Sequence, residues 1–269
     1  MSDNINFSTT KDPKISPILI SMPHLGTIIP EQIKHTMNPS VIDGLDDTDW
    51  HVDHLYDFAD SQKITVIKPE FSRYVIDLNR SINSEESLYS DGRLLTQLVP
   101  THDFTGRPIY KDKLEPNQTE INKRVAEFYQ PYHDKLKSEI KRLKSTSNHV
   151  LLFEAHSIRR YVPKISPDPF PDLIVGTNNG TSCHRDLEEA ALSLLRRTPY
   201  SVELNDPFQG GYITRSFANP EEGIHCIQLE VSQDVYLDEN REPDSAKSHL
   251  LREALNESFQ KFQSILERL

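Results

Sequence analysis

The run Ile18-Leu19-Ile20-Ser21-Met22-Pro23-His24-Leu25-Gly26 constrains this chain more than any other stretch. Its start is apolar without alternation, which suits a strand covered on both faces, as in a parallel sheet with helices on either side. Pro23 then ends the pairing, His24 is delivered at the strand's C-terminal end, and Gly26 lets the chain turn away. Open α/β sheets form their binding crevice outside the carboxyl ends of the strands, so His24 is the first candidate for a site.

The same punctuation recurs down the chain. Strands are predicted over 17–21, 63–67, 74–78, 149–153, 173–175, 201–204, 210–215 and 224–231, and helices over 120–144, 185–196 and 245–269. Pro131 inside the first of these helices predicts a kink or break. Another helix is expected from Val52, Leu55, Tyr56 and Ala59, with Asp49 in its exposed first turn and Asp53 one turn later on the same face. Alternating strands and helices in one chain of 269 residues predict a single α/β domain over 1–269, built on a mostly parallel mixed sheet flanked by helices. Residues 1–14 read as a polar leader, and 81–116 as a long loop or lid.

Composition narrows the partners. With 36% hydrophobic and 26% charged residues, the chain has the balance of a soluble globular protein. It has no run near the ~18 apolar residues of a membrane span, and its opening lacks the regions of a signal peptide, so a cytoplasmic protein with no membrane partner is expected. A net charge of -11 without a basic stripe argues against nucleic acid. A small anionic substrate would then need arginines placed at its own site. The two cysteines, Cys183 and Cys226, form no CxxC pair, so a metal would be held by histidine and carboxylate. Cys183 beside His184 is read as a buried or capping-region residue rather than a nucleophile.

Three predicted strand ends carry complementary polar groups: His24, Asn79-Arg80 and His156-Ser157. In a parallel sheet these ends share one edge, and Asp49 can join them. Two imidazoles and a carboxylate hold a divalent ion while leaving a fourth position open, as in catalytic zinc sites. Glu230 follows Ile227-Gln228-Leu229, where partial desolvation would raise its pKa toward that of a general base. Arg80 can grip a carboxylate through two parallel hydrogen bonds, and Arg73, Arg159 and Arg215 stand near the same stretches. The chain has no GxSxG elbow, P-loop, GxGxxG or HExxH.

Taken together, Pro23-His24-Leu25-Gly26, Asp47-Thr48-Asp49-Trp50-His51-Val52-Asp53, Val75-Ile76-Asp77-Leu78-Asn79-Arg80, Gly176-Thr177-Asn178, Pro207-Phe208-Gln209-Gly210-Gly211-Tyr212-Ile213-Thr214-Arg215 and Gln228-Leu229-Glu230 resemble the N-formylglutamate amidohydrolase (N-formylglutamate deformylase) family. The match runs in order over residues 17–240. More distantly, the Asp-x-Asn-Arg run, the His-Ser strand end and the late glutamate are similar to zinc carboxypeptidases. The resemblance implies a zinc-carboxypeptidase-like (phosphorylase/hydrolase-like) architecture with one zinc ion or another divalent metal. It implies His24 and His156 as ligands, Glu230 as general base, and Asn79 with Arg80 on a substrate carboxylate. Arg73, Arg159, Arg215, Gly211 and Tyr212 are the further substrate-binding candidates. Carboxypeptidases take their acidic ligand three residues after the first histidine, which here is Thr27, so Asp49 is expected in that role, with Asp53 second. The implied reaction is hydrolysis of N-formyl-L-glutamate to formate and L-glutamate in histidine degradation. The competing readings are another N-acyl amino acid deacylase, a carboxypeptidase or a non-catalytic amino-acid binder.

Overall fold

Four parallel strands form the centre of one seven-stranded sheet, and their apolar runs are covered on both sides. The structure, a computed structural model, describes residues 5–8, 15–83 and 97–269. In chain order the elements are β1 (Ile5–Ser8), β2 (Ile18–Ser21), α1 (Glu31–Lys34), α2 (Pro39–Gly44), a 3₁₀ helix (Val52–Ala59), β3 (Thr65–Pro69), α3 (Gln118–Arg124) and α4 (Gln130–Lys144). There follow β4 (Val150–Ile158), β5 (Leu173–Gly176), α5 (Arg185–Leu195), β6 (Val202–Leu204), α6 (Tyr212–Phe217), β7 (Ile224–Ser232) and α7 (Ser245–Leu266). The strand order is β1-β3-β2-β4-β7-β5-β6. β3, β2, β4 and β7 run parallel, β1 is antiparallel to β3, and β5 turns antiparallel to β7 with β6 parallel beside it. The expected mostly parallel mixed α/β sheet is therefore present.

Each face of the sheet has its own core. Ile18, Ile20, Phe153, Ala155, Ile227 and Leu229 point to the side covered by α5, α7 and the 3₁₀ helix. Leu19, Ile67, Val150, Leu152 and Cys226 face the other side, against Tyr132, Leu136, Ile140 and Leu143 of α4. This second face is not apolar throughout. Along β4 it changes from Val150 and Leu152 to Glu154 and His156, because residues two apart share a face. The polar half of that face is where the site lies.

Several expectations need correction. The 74–78 segment is not a strand, although Val75, Ile76 and Leu78 are buried. Its backbone is satisfied by a turn and by distant groups instead: Ser72 Oγ accepts the Tyr74 N–H, the Asp77 N–H donates to the Leu98 carbonyl at 2.7 Å, and the Val75 and Leu78 carbonyls accept from Arg124 and His133. The 210–215 segment forms helix α6 rather than a strand, because side chains from distant elements accept its first backbone N–H groups. Inside residues 1–14, Ile5–Ser8 pair as edge strand β1. Asp49 precedes the 3₁₀ helix and is buried rather than exposed. β4 continues five residues beyond Phe153, so Glu154 and His156 lie within the strand. Around Pro131 the long helix neither ends nor breaks; a π-helical turn over Val125–Tyr129 joins α3 to α4 and accommodates the missing N–H. Of the loop or lid expected over 81–116, residues 84–96 lie outside the described residues. Val99, Ile109 and Tyr110 from its later part are packed in the second core.

Among the described residues, no helix is long and apolar enough to cross a membrane. α7 closes the first core, and Asp244 starts it by accepting the Ala246 and Lys247 N–H groups. Its Phe259 is fully buried, with ring centroids 4.7 Å from Phe153, 5.2 Å from Phe58 and 5.6 Å from Phe262. Phe259→Ala should lower the unfolding free energy by about 3–5 kcal/mol in urea denaturation; a loss under about 1 kcal/mol would show that the cluster does not support the fold.

Candidate metal centre

His24, Asp49 and His156 reach one point from three different kinds of local structure. Beyond β2, the Met22 N–H still pairs with the Ile67 carbonyl, so the chain stays extended until Pro23 and sets His24 at the sheet edge. Asp49 comes from the irregular turn before the 3₁₀ helix, and its own N–H donates to the His24 carbonyl at 3.1 Å. His156 projects from inside β4. All three are buried, and one donor atom from each lies within 4.8 Å of the others.

Hydrogen bonds orient both rings in the same way. Nε2 of His24 donates to Asp77 Oδ1 at 2.8 Å, and Nε2 of His156 donates to Glu154 Oε1 at 2.8 Å. An ionised carboxylate can only accept, so a proton sits on each Nε2 and each Nδ1 is turned the other way. Both Nδ1 atoms face Asp49 Oδ2, at 3.8 Å from His24 and 3.0 Å from His156. Imidazole paired with carboxylate on its far nitrogen is the usual support of a histidine metal ligand. An ion taking the place of the Nδ1 proton would meet two nitrogens and one oxygen. The three residues can therefore hold a metal ion.

The electrostatics fit a cation as well. Asp49, Asp77, Glu154 and Glu230 bring four carboxyl groups together, against one buried guanidinium, Arg73, and the partly exposed Arg80. Burial, with Arg73 adding to it, lowers His24 to about 4. Burial also opposes charge on His156, but the hydrogen bonds to Asp49 and Glu154 outweigh it and raise the ring well above its ordinary value. Asp77 is desolvated too, yet Arg80 and Arg73 hold it well below the usual carboxylate range. Glu230 is in register with His156 across the β4–β7 pair and lies on the same face. Burial pushes its carboxyl up to about 8, against the pull of His156.

The other sequence candidates are distributed around this point. Asn79 lies with Nδ2 3.1 Å from His156 Nε2, while its Oδ1 accepts the Ile213 N–H at 2.8 Å. Gly211 passes so close that a Cβ there would meet Asn79 Nδ2 at 2.1 Å, so only glycine permits the approach. Arg80 donates to the Asn79 carbonyl and stands 3.9 Å from Asp77 Oδ2. Arg73 is behind His24, donating to Asp77 Oδ2 at 2.6 Å and packed over the Phe104 ring. Arg159 Nη2 lies 3.5 Å from Asp47 Oδ1, and both atoms are buried without a hydrogen-bond partner among the described residues. Arg215 and Tyr212 sit on α6, where Arg215 reaches the Gly210 carbonyl and the Tyr212 ring lies 5.9 Å from His133. Asp53 is not part of the cluster; it pairs with Lys68 at 2.6 Å.

Sequence reasoning passed over the groups that support these residues. Asp77 orients His24, and Glu154 orients His156 while its other oxygen accepts the Thr214 N–H at 3.0 Å. Gln228 Oε1 accepts the Gly211 N–H at 2.6 Å. A signal existed for two of them: Glu154 and Gln228 each stand two residues before a candidate in the same strand, and so share its face.

A family model for N-formylglutamate amidohydrolase matches residues 16–237. The N-formylglutamate deformylase of Pseudomonas aeruginosa is 39% identical over 227 residues, which are 83% of this chain and 83% of that protein. That of Pseudomonas putida is 38% identical over 224 residues, 83% of this chain and 82% of its own. Among solved structures, N-formylglutamate amidohydrolase from Ralstonia eutropha JMP134 shares the fold, with a TM-score of 0.83 at 24% identity over 98% of this chain and 99% of that one. A gene product of Agrobacterium tumefaciens shares it at a TM-score of 0.72 and 17% identity, over 97% and 96% of the two chains. By the length of the family match and the identity to its relatives, this protein belongs to the N-formylglutamate amidohydrolase family and is a hydrolase of an amide C–N bond.

Proposed function

We propose that the chain acts as one domain that hydrolyses N-formyl-L-glutamate to formate and L-glutamate, with a zinc ion held by His24, Asp49 and His156. The observation that carries this reading is the convergence of both histidine Nδ1 atoms on Asp49 Oδ2, with Glu230 in register beside His156. The names of the Pseudomonas relatives support the substrate. Two imidazoles and one carboxylate suit zinc with an open fourth position. The reaction belongs to the cytoplasm, as the last step of histidine degradation, a setting with which two free buried cysteines agree.

When bound, the ion supplies Lewis-acid polarisation of the formyl oxygen, acidifies a water and favours the ionised form of Glu230. Glu230 takes a proton from the attacking water and returns it to the leaving amine, so one carboxyl group serves as base and then acid. Asn79 and Arg80 hold a substrate carboxylate. Arg73 keeps Asp77 ionised behind His24, and Arg159, Arg215, Gly211 and Tyr212 complete the binding surface. A formyl group adds only hydrogen to its carbonyl, so selectivity rests on the glutamate half of the substrate.

Formate release from N-formyl-L-glutamate, compared with N-acetyl-L-glutamate and N-formyl-L-aspartate, tests the substrate; equal turnover of the acetyl compound would refute it. Dialysis against a chelator should abolish activity, and zinc should restore it. Glu230→Gln should keep its metal while kcat falls about 100-fold or more; a fully active variant would exclude Glu230 as the base. The same substitution has a signature in the metal-free protein. Glu230 ordinarily titrates near 4.5 and is raised to about 8 in the fold, so the folded state holds its proton more tightly than the unfolded state does. Its contribution is fully present below pH 4.5 and is lost as pH rises through about 8. Metal-free Glu230→Gln should thus gain in thermal midpoint over the parent at pH 8.5, relative to pH 4.5. A difference independent of pH would contradict the raised value.

A further inference from the structure

The turn that carries Asp49 has no regular structure, yet its backbone is held from three sides. Besides the bond from the Asp49 N–H to His24, the Thr48 carbonyl accepts from Gln233 Nε2 at 2.9 Å, and the Trp50 carbonyl accepts from Tyr236 Oη at 2.6 Å. Both donors come from the segment just after β7, in and behind the 3₁₀ turn Gln233–Val235. Tyr236 Oη also lies 2.8 Å from Ser157 Oγ. The Tyr236 hydroxyl thus reaches both the Trp50 carbonyl and Ser157 Oγ with its one proton. Gln233 Nε2 lies 3.4 Å from the same Ser157 Oγ. Thr48, Asp49, Ser157, Gln233 and Tyr236 are all buried.

The connectivity matters more than any single bond. Ser157 adjoins His156, and Gln233 and Tyr236 follow Glu230 closely along the chain. One hydrogen-bonded group therefore joins the segments bearing His24, Asp49, His156 and Glu230. Were Gln233 or Tyr236 to lose its donor, the buried Thr48 carbonyl or the partly buried Trp50 carbonyl beside Asp49 would be left without that partner, and the turn would have to shift to find one. Metal sites tolerate only about 0.2 Å in ligand distance, so a small shift there reaches the ion.

We propose that Gln233 and Tyr236, with Ser157 between them, are positioning residues that set the Asp49 carboxylate against the two histidines and thereby determine the site's affinity for a divalent cation. The proposal rests on the reading of Asp49 as a metal ligand. Its test uses full-length Tyr236→Phe and Gln233→Leu, stripped of metal. Zn²⁺ affinity is measured by competition with a chromophoric chelator, Co²⁺ absorption reports ligand geometry, and thermal unfolding of the metal-free proteins reports stability. Each variant is expected to bind Zn²⁺ about 10-fold or more weakly, with shifted Co²⁺ bands, while its metal-free form still unfolds cooperatively at a midpoint lowered by no more than several degrees. Parent-like Zn²⁺ affinity and Co²⁺ spectra in both variants would overturn the positioning role. Parent-like Zn²⁺ affinity in Asp49→Ala would instead overturn the ligand reading beneath it. Should Tyr236→Phe fail to fold, Gln233→Leu still decides, because it releases the other carbonyl.

Discussion

A carboxylate taken out of water must be met by positive charge, and the architecture around Asp49 answers that requirement. The group is 1% exposed and faces two imidazoles whose other nitrogens are already committed to Asp77 and Glu154. Such a cluster carries more acid than base, and an uncompensated buried charge is expensive. The family's fold supplies rigid supports for it: one histidine at the end of a parallel strand, one within its neighbour, and a glutamate in register on the next.

The sheet explains why these groups meet. Parallel neighbours in register point their side chains to the same face, so His156 on β4 and Glu230 on β7 are placed together by backbone pairing alone. The apolar residues earlier on that face pack under α4, and the polar ones later on it are covered by α6. That short helix depends on the site for its own start, since Asn79, Glu154 and Gln228 accept the N–H groups of Ile213, Thr214 and Gly211. Structural support and candidate chemistry are thus carried by the same side chains.

Much of this was legible from residue patterns. Continuous apolar runs such as Ile18–Ile20 and Leu151–Phe153 identify strands buried on both faces, and a proline or a polar step marks where they reach an edge. The limits were tertiary. A run like Val75–Leu78 has the composition of a strand, and only its backbone hydrogen bonds to Leu98, Arg124 and His133 make it something else. Residues 210–215 contain two glycines and β-branched residues, and nothing nearby in sequence announces the distant caps that turn their end into α6. The orienting carboxylates Asp77 and Glu154 were overlooked because an acid next to a candidate is commonplace in a chain with 41 of them.

Glu154 illustrates how little room such a dual role leaves. One of its oxygens accepts from His156, and the other accepts both the backbone N–H and the hydroxyl of Thr214. An amide of the same shape has one accepting end, so glutamine would turn a donor toward either the imidazole or the helix start. Aspartate accepts at both ends but is one methylene short of spanning them. The position has no conservative substitute, and drift there would be felt by His156 and the start of α6 at once.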